Sequence, residues 1–152
     1  LNLLAGVRQV ELLVFAGAGT LAVADRATPR LLLGDLLRAH VQVRETVIAA
    51  AVPDGEAVPA ARLAPSPAAE VVLVVTRDLW RQPQQQELLA AVLEWGRPVI
   101  HVSLRGPRDL EFSAGRALRL CCYDETQATP QGLVEVLTGR TRAAGRAPVI
   151  WS

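Results

Sequence analysis

The sequence contains no methionine, no lysine and only two cysteines in 152 residues. The cysteines, Cys121 and Cys122, are adjacent, and neighbouring residues rarely form a disulfide because its geometry needs a wider Cα separation. A disulfide framework and the usual zinc-site spacings are therefore excluded. We expect a cytoplasmic protein, with a secreted parent as the alternative. Because methionine is missing even at Leu1, we expect the chain to be a piece of a longer protein.

Neither an excess of one charge nor a long apolar run is present. Sixteen basic residues balance fifteen acidic ones to a net charge of +1, whereas a nucleic-acid-binding surface needs a basic excess. The uncharged residues 12–24 are fewer than the roughly 20 that cross a bilayer, and Gly17 and Gly19 interrupt them. We interpret this run as core and not as a secretion signal. We therefore expect no nucleic-acid partner and no membrane partner.

The chain does show a repeated alternation of apolar runs and helical patterns. We predict strands over residues 20–25, 41–48, 70–76, 99–104 and 117–123, and helices over residues 28–39, 84–95 and 129–137. Residues 6–15 fit a helix, or one that ends in an extended piece at 12–15. The order predicts one α/β domain over residues 1–152, a three-layer α/β/α sandwich. Its sheet should be mostly parallel, with five or six strands, a flavodoxin-like layout, residues 70–76 at its centre and 41–48 nearer an edge.

Charged residues follow two of the predicted strands at their carboxyl ends, where open α/β sheets collect ligands and partners. The candidates for substrate-facing or interface-facing positions are Arg105, Arg108, Asp109, Asp124 and Glu125. Paired carboxylates such as Asp124 and Glu125 can act as acid and base on a sugar, or they can form a solvated turn. We also expect Arg105 and Asp109 to hold the 104–110 turn together through a local ion pair.

Two further features carry alternative functions. The sequence GAGTLA at residues 17–22 matches a dinucleotide-binding loop, but the predicted helix begins only at Pro29, so the spacing favours an ordinary turn. This feature and the fold layout support an alternative function, a free-standing flavodoxin-like or nucleotide-binding module. His101 lies mid-strand and is interpreted as a buried, hydrogen-bonded residue. A further alternative function is a stand-alone enzyme that uses His101, Asp124 or Glu125.

The second half of the chain resembles a known family. Residues 103–109, SLRGPRD, are similar to an S/A-L-R-N-P-Y-D loop that ends a strand in the carboxyl-terminal domain of glycoside hydrolase family 3. Gly106 replaces the asparagine and Arg108 the tyrosine, while Tyr123 matches the turn after the next strand. The later motif L-x-G-x-x-x-P-x-G-x-L-P-V is matched at Leu137, Gly139, Gly145, Pro148 and Val149. The chain therefore resembles the β-N-acetylhexosaminidase-like members of that family.

The resemblance implies a domain without a catalytic centre of its own. In this family the nucleophilic aspartate lies on a preceding (β/α)8 barrel, and in the bacterial N-acetylhexosaminidase branch so does the acid/base. A chain of 152 residues cannot contain that barrel. We therefore expect an inactive accessory domain of a β-N-acetylglucosaminidase-like or β-glucosidase-like enzyme, which packs on and braces the barrel. Carbohydrate contact at the loops is a further expectation, and no catalytic residue, metal or cofactor is expected on this chain.

Overall fold

A computed structural model of the protein describes residues 2–16, 32–48, 63–126 and 128–145. The strands are β1 Gln9–Phe15, β2 Gln42–Ile48, β3 Val71–Thr76, β4 Val99–Ser103 and β5 Leu118–Cys121. The α-helices are α1 Leu33–Leu37, α2 Pro83–Leu93 and α3 Thr129–Leu137, and two 3₁₀-helices cover Leu79–Arg81 and Pro107–Ser113. No helix in these ranges is long and apolar enough to cross a membrane.

The five strands form one sheet in the order β2-β1-β3-β4-β5, and every pair is parallel. This is the order of flavodoxin-like doubly wound folds. Strand β3 is central and all six of its residues are buried, because its unbroken apolar run can pack on both faces of the sheet. Strand β2 is an edge strand, as its alternation of apolar and polar residues predicts. The prediction of an α/β fold with a mostly parallel sheet of five or six strands is confirmed.

The helices cover both faces of this sheet, which completes the three layers. Helices α1 and α3 contact each other and pack on one face, where Leu37 and Leu137 are fully buried. Helix α2 packs on the opposite face through Leu88 and Leu89, next to Leu79 of the first 3₁₀-helix. Because the five strands are all parallel, their carboxyl ends lie at one edge of the sheet.

Strand β1 corrects the prediction for the start of the chain. The sequence allows a helix over residues 6–15, or one that ends in an extended piece at 12–15, but all of Gln9–Phe15 is a strand, which pairs with β2 on one side and β3 on the other. Its side chains alternate between the two cores, with Leu12 in one and Leu13 in the other. This period of two is hard to recognise when both faces are apolar. The strand predicted at residues 20–25 and the GAGTLA sequence lie outside the described residues.

The start of α3 is held by a side-chain contact. Ala128, and not Thr129, is the N-cap, and Thr129 is the first helical residue. The Thr129 hydroxyl donates instead to Asp124 Oδ2 at 3.0 Å. The start of α3 is therefore tied to the loop after β5, which is one of the loops at the carboxyl edge.

Candidate functional site

Four charged residues join the loops after β3, β4 and β5 at the carboxyl edge of the sheet. We call Arg77, Asp78, Arg105 and Glu125 the edge ion cluster. The Arg105 guanidinium donates through Nε and Nη2 to Glu125 Oε1 at 2.9 and 2.7 Å, and through Nη1 to Asp78 Oδ2 at 2.9 Å. Arg77 Nη1 lies 3.2 Å from Glu125 Oε2. Two cations and two anions thus neutralise each other across three loops.

The expected pair of Arg105 and Asp109 does not form. Arg105 points to the loops on either side of its own, whereas the Asp109 carboxylate turns inward and is only 3% exposed. There Asp109 Oδ2 accepts the Thr76 hydroxyl at 2.9 Å, and Oδ1 accepts the Trp80 backbone N–H at 3.3 Å. Burial raises the pKa of Asp109. Asp109 therefore fastens the loop after β4 to the end of β3, while Arg105 links the loops across the surface.

A buried network continues inward from Asp109 and consists of Thr76, His101, Asp109 and Ser113. His101 Nε2 lies 3.0 Å from Thr76 Oγ1, and Nδ1 lies 2.7 Å from Ser113 Oγ. The single proton of the Thr76 hydroxyl is donated to Asp109, so His101 Nε2 carries the ring hydrogen. Nδ1 then accepts from Ser113, whose other acceptor, the Leu110 carbonyl, is farther away at 3.3 Å. Burial lowers the pKa of His101 to about 4, with the charge of Arg119 acting in the same direction. The ring is neutral at pH 7.

The hydrogen bond between Ser113 and His101 resembles the pairing of a nucleophilic serine with a general base. Ser113 cannot act as a nucleophile here, however. Ser113, His101 and Thr76 have no exposed surface, so no substrate reaches the hydroxyl. The bond instead holds the 3₁₀-helix Pro107–Ser113 against β4. His101 is the buried, hydrogen-bonded histidine that its mid-strand position predicts.

Asp124 organises the turn in front of α3. Its carboxylate accepts the backbone N–H groups of Glu125 and Thr126 at 2.8 and 3.2 Å. It also accepts the hydroxyls of Thr126 and Thr129 at 2.6 and 3.0 Å. The hydroxyl donors lower the pKa of Asp124, whereas a general acid needs a raised pKa. Asp124 therefore serves as an acceptor that shapes the turn.

The same edge carries an aromatic group that was not predicted from the sequence: Trp80 with Arg81 and Arg108, which we call the Trp80 stack. The Cζ atoms of Arg81 and Arg108 lie 4.4 and 4.3 Å from the centroid of the Trp80 ring. Arg108 is the candidate that replaces the tyrosine of the resembled motif, and Trp80 belongs to the loop after β3. The sequence feature that could have indicated this group is Trp80, one of three tryptophans in the chain, next to Arg81 in the loop after the central strand.

The remaining reactive groups do not form a second site. Cys121 and Cys122 are free, and burial raises the pKa of the Cys122 thiol to about 11, which disfavours the nucleophilic thiolate. A groove of ≈ 400 Å³ lies between β5 and α3, with Leu120, Cys122 and Leu133 in its lining. In the described part of the chain, no three histidine, cysteine, aspartate or glutamate residues are grouped as they would be around a metal ion.

No family model and no curated protein matches the sequence. Solved structures do match, among them a glycoside hydrolase family 3 β-N-acetylglucosaminidase from Paenibacillus sp. str. FPU-7, with a TM-score of 0.70 and 25% sequence identity. A fungal multi-domain family 3 β-N-acetylglucosaminidase, described with a GCN5-related glucosamine N-acetyltransferase region, matches with a TM-score of 0.69 and 13% identity. Each match covers 93% of this chain, but only 27% of the first protein and 15% of the second. The predicted resemblance to family 3 is confirmed.

Proposed function

We propose that this chain is the non-catalytic carboxyl-terminal accessory domain of a family 3 glycoside hydrolase, and that it packs on and braces a (β/α)8 barrel. The observation that carries the proposal is the unequal coverage, because 93% of this chain matches only 27% of the Paenibacillus protein. A parent enzyme of the β-N-acetylglucosaminidase or β-glucosidase type, bacterial and cytoplasmic, agrees with the sequence resemblance and with the free cysteines.

The carboxylates at the edge support a role without catalysis. A retaining glycosidase places two carboxyl groups about 5 Å apart around the scissile bond, and one of them must carry a proton. Glu125 is engaged by two arginines, and Asp124 accepts four hydrogen bonds. Asp109 is buried. The nucleophile and the acid/base would therefore come from the barrel.

The same contacts favour a bracing role. The edge ion cluster and the buried network fix three loops relative to the sheet, so the edge can present a rigid surface to another domain. Phe112 and Tyr123 are 38% and 49% exposed on these loops, and exposed large apolar side chains are frequent where domains dock. We infer that the barrel contacts the loops at this edge, and that any carbohydrate contact would be made there.

The first test is the coding DNA upstream of Leu1. The proposal predicts an open reading frame that continues in frame through a (β/α)8 barrel. An in-frame stop codon or a start codon directly before Leu1 contradicts it. If the barrel is present, a matched pair of proteins tests the bracing itself: the complete protein should melt at a higher temperature than the barrel alone, when unfolding is followed by a signal from the barrel.

A further inference from the structure

Four arginines lie at the carboxyl edge. Two of them, Arg77 and Arg105, are neutralised by carboxylates, and the other two, Arg81 and Arg108, which we call the open pair, are not, within the described residues. Arg77 and Arg105 form ion pairs within the edge ion cluster. Arg81 and Arg108 are exposed, and in the described ranges neither forms an ion pair with a carboxylate. In that part of the chain, each guanidinium lies over the Trp80 ring. The Trp80 stack is therefore a local excess of positive charge on a chain whose net charge is +1.

The open pair is held in place before any partner arrives. Asp109 Oδ1 accepts the Trp80 backbone N–H, and Asp109 directly follows Arg108 in the chain. One buried carboxylate thus ties together the two loops that supply the stack. Leu79, next to Trp80, is fully buried in the core under α2. A partner that binds here pays less conformational entropy than it would with freely rotating arginines.

The hydrogen-bond donors of a stacked guanidinium determine which chemical group a partner must present. A guanidinium that rests with its face on an aromatic ring keeps the N–H donors at its rim available. These donors form a planar fork that matches the two oxygens of a carboxylate. Arginine and tryptophan are also the residue types that dominate binding energy at protein interfaces.

We propose that the Trp80 stack is the docking point for carboxylate side chains of a protein partner. The proposal rests on the proposed function for the identity of that partner, which would be the barrel, but its chemistry follows from this chain alone. Asp124 lies on the same edge, bonded to backbone N–H groups and threonine hydroxyls and to no arginine among the described residues, and its negative charge would repel a polyanionic strand. A partner surface with one or two carboxylates and apolar neighbours, which Phe112 can contact, fits better than a nucleic acid.

The test uses the whole chain, labelled with ¹⁵N, and a synthetic acetyl-tetraglutamate amide as the probe. The tryptophan indole N–H signals report binding at Trp80 in low salt, about 20 mM, where the screening length is long. The double variant Arg81→Gln and Arg108→Gln should bind the peptide at least tenfold more weakly than the unchanged chain. The matched control, Arg119→Gln with Arg140→Gln, removes the same charge from exposed arginines elsewhere and should change binding by less than twofold.

Three results overturn the proposal. The first is the absence of a saturable shift at the Trp80 indole. The second is equal weakening in the two double variants, which would mean that only net charge matters. The third is binding of inorganic phosphate at the same ionic strength as tight as binding of the peptide, which would indicate a site for free oxyanions. Because the barrel is not used, failure here leaves the proposed function standing, and an upstream stop codon leaves the docking point standing.

Discussion

The buried network lies beneath the loops at the carboxyl edge, and the edge ion cluster lies on their surface. The two differ in the kind of polar group that they contain. The buried network joins a neutral imidazole, two hydroxyls and one carboxylate, in residues that are at most 3% exposed. The edge ion cluster joins four full charges, and its central arginine, Arg105, has a side chain that is 51% exposed. Water screens the second set and not the first. The buried network should therefore carry the stability of the loops, while the edge ion cluster sets how they are aligned.

The largest expected effect is that of Asp109→Ala. Two charge-assisted hydrogen bonds are lost, and the Trp80 backbone N–H is left without its acceptor. We expect the free energy of unfolding to fall by about 3 kcal/mol. Urea unfolding followed by circular dichroism measures it. Asp109→Asn is the control, because an amide oxygen still accepts and the cost of burying a charge disappears, so it should lose clearly less. An equal loss in both variants would mean that the hydrogen bonds are not the cause.

A smaller effect is expected from pH. The pKa of His101 is lowered in the folded state to about 4, so the unfolded chain binds the proton more readily between pH 6.5 and 4. The stability that depends on neutral His101 is complete above pH 6.5 and is lost as the pH falls towards 4. Asp109, with a raised pKa, acts in the opposite direction. We therefore expect a net loss across this window that is smaller than the roughly 3 kcal/mol that the lowered pKa of His101 alone would give.

Two variants separate this effect from general acid unfolding. His101→Gln should lower stability at pH 7 and flatten the slope of stability between pH 6.5 and 4. His40→Gln removes the other histidine of the chain, which is exposed, and is the matched control. If the two variants keep the same slope, the buried network is not the source of the pH dependence.

The smallest effect is expected from Arg105→Ala in the edge ion cluster. Its three hydrogen bonds are partly exposed to solvent, so we expect a loss of about 1 kcal/mol or less. The loss should shrink further in about 1 M salt, where the screening length is near 3 Å. Arg140→Ala, at an exposed arginine without a side-chain partner among the described residues, is the control and should be neutral. A loss as large as that of Asp109→Ala would remove the distinction between the two networks.

The sequence was sufficient for the features that depend on local pattern. The central position of Val71–Thr76, the edge position of β2 and the location of charged loops at the carboxyl edge follow from apolar runs and from strand direction. Strand β1 was predicted only in part, as the alternative extended piece at 12–15, because an apolar run that contains Glu11 has no clear period. Glu11 is itself buried, and its Oε2 accepts the Ser66 N–H at 3.1 Å.

The partners of the site residues could not be predicted in this way. Arg105 finds Asp78 and Glu125, which lie 27 and 20 positions away in the sequence. Which of the nearby carboxylates it meets depends on the register of β3, β4 and β5, and not on spacing along the chain. The Trp80 stack likewise needs two loops to be brought together by the Asp109 carboxylate. The sequence predicts which residues lie at the carboxyl edge. The packing of the sheet determines which of those residues form ion pairs or contacts with each other.

The most direct test of the central claim, that this chain carries no catalytic centre, is an assay of the purified chain with 4-nitrophenyl N-acetyl-β-glucosaminide and the corresponding β-glucoside. The claim predicts no release of nitrophenol above the buffer rate, because the nucleophile would reside on the barrel. Turnover by the chain alone that disappears on Asp124→Asn or Glu125→Gln would contradict it, since those carboxylates would then act as acid and base.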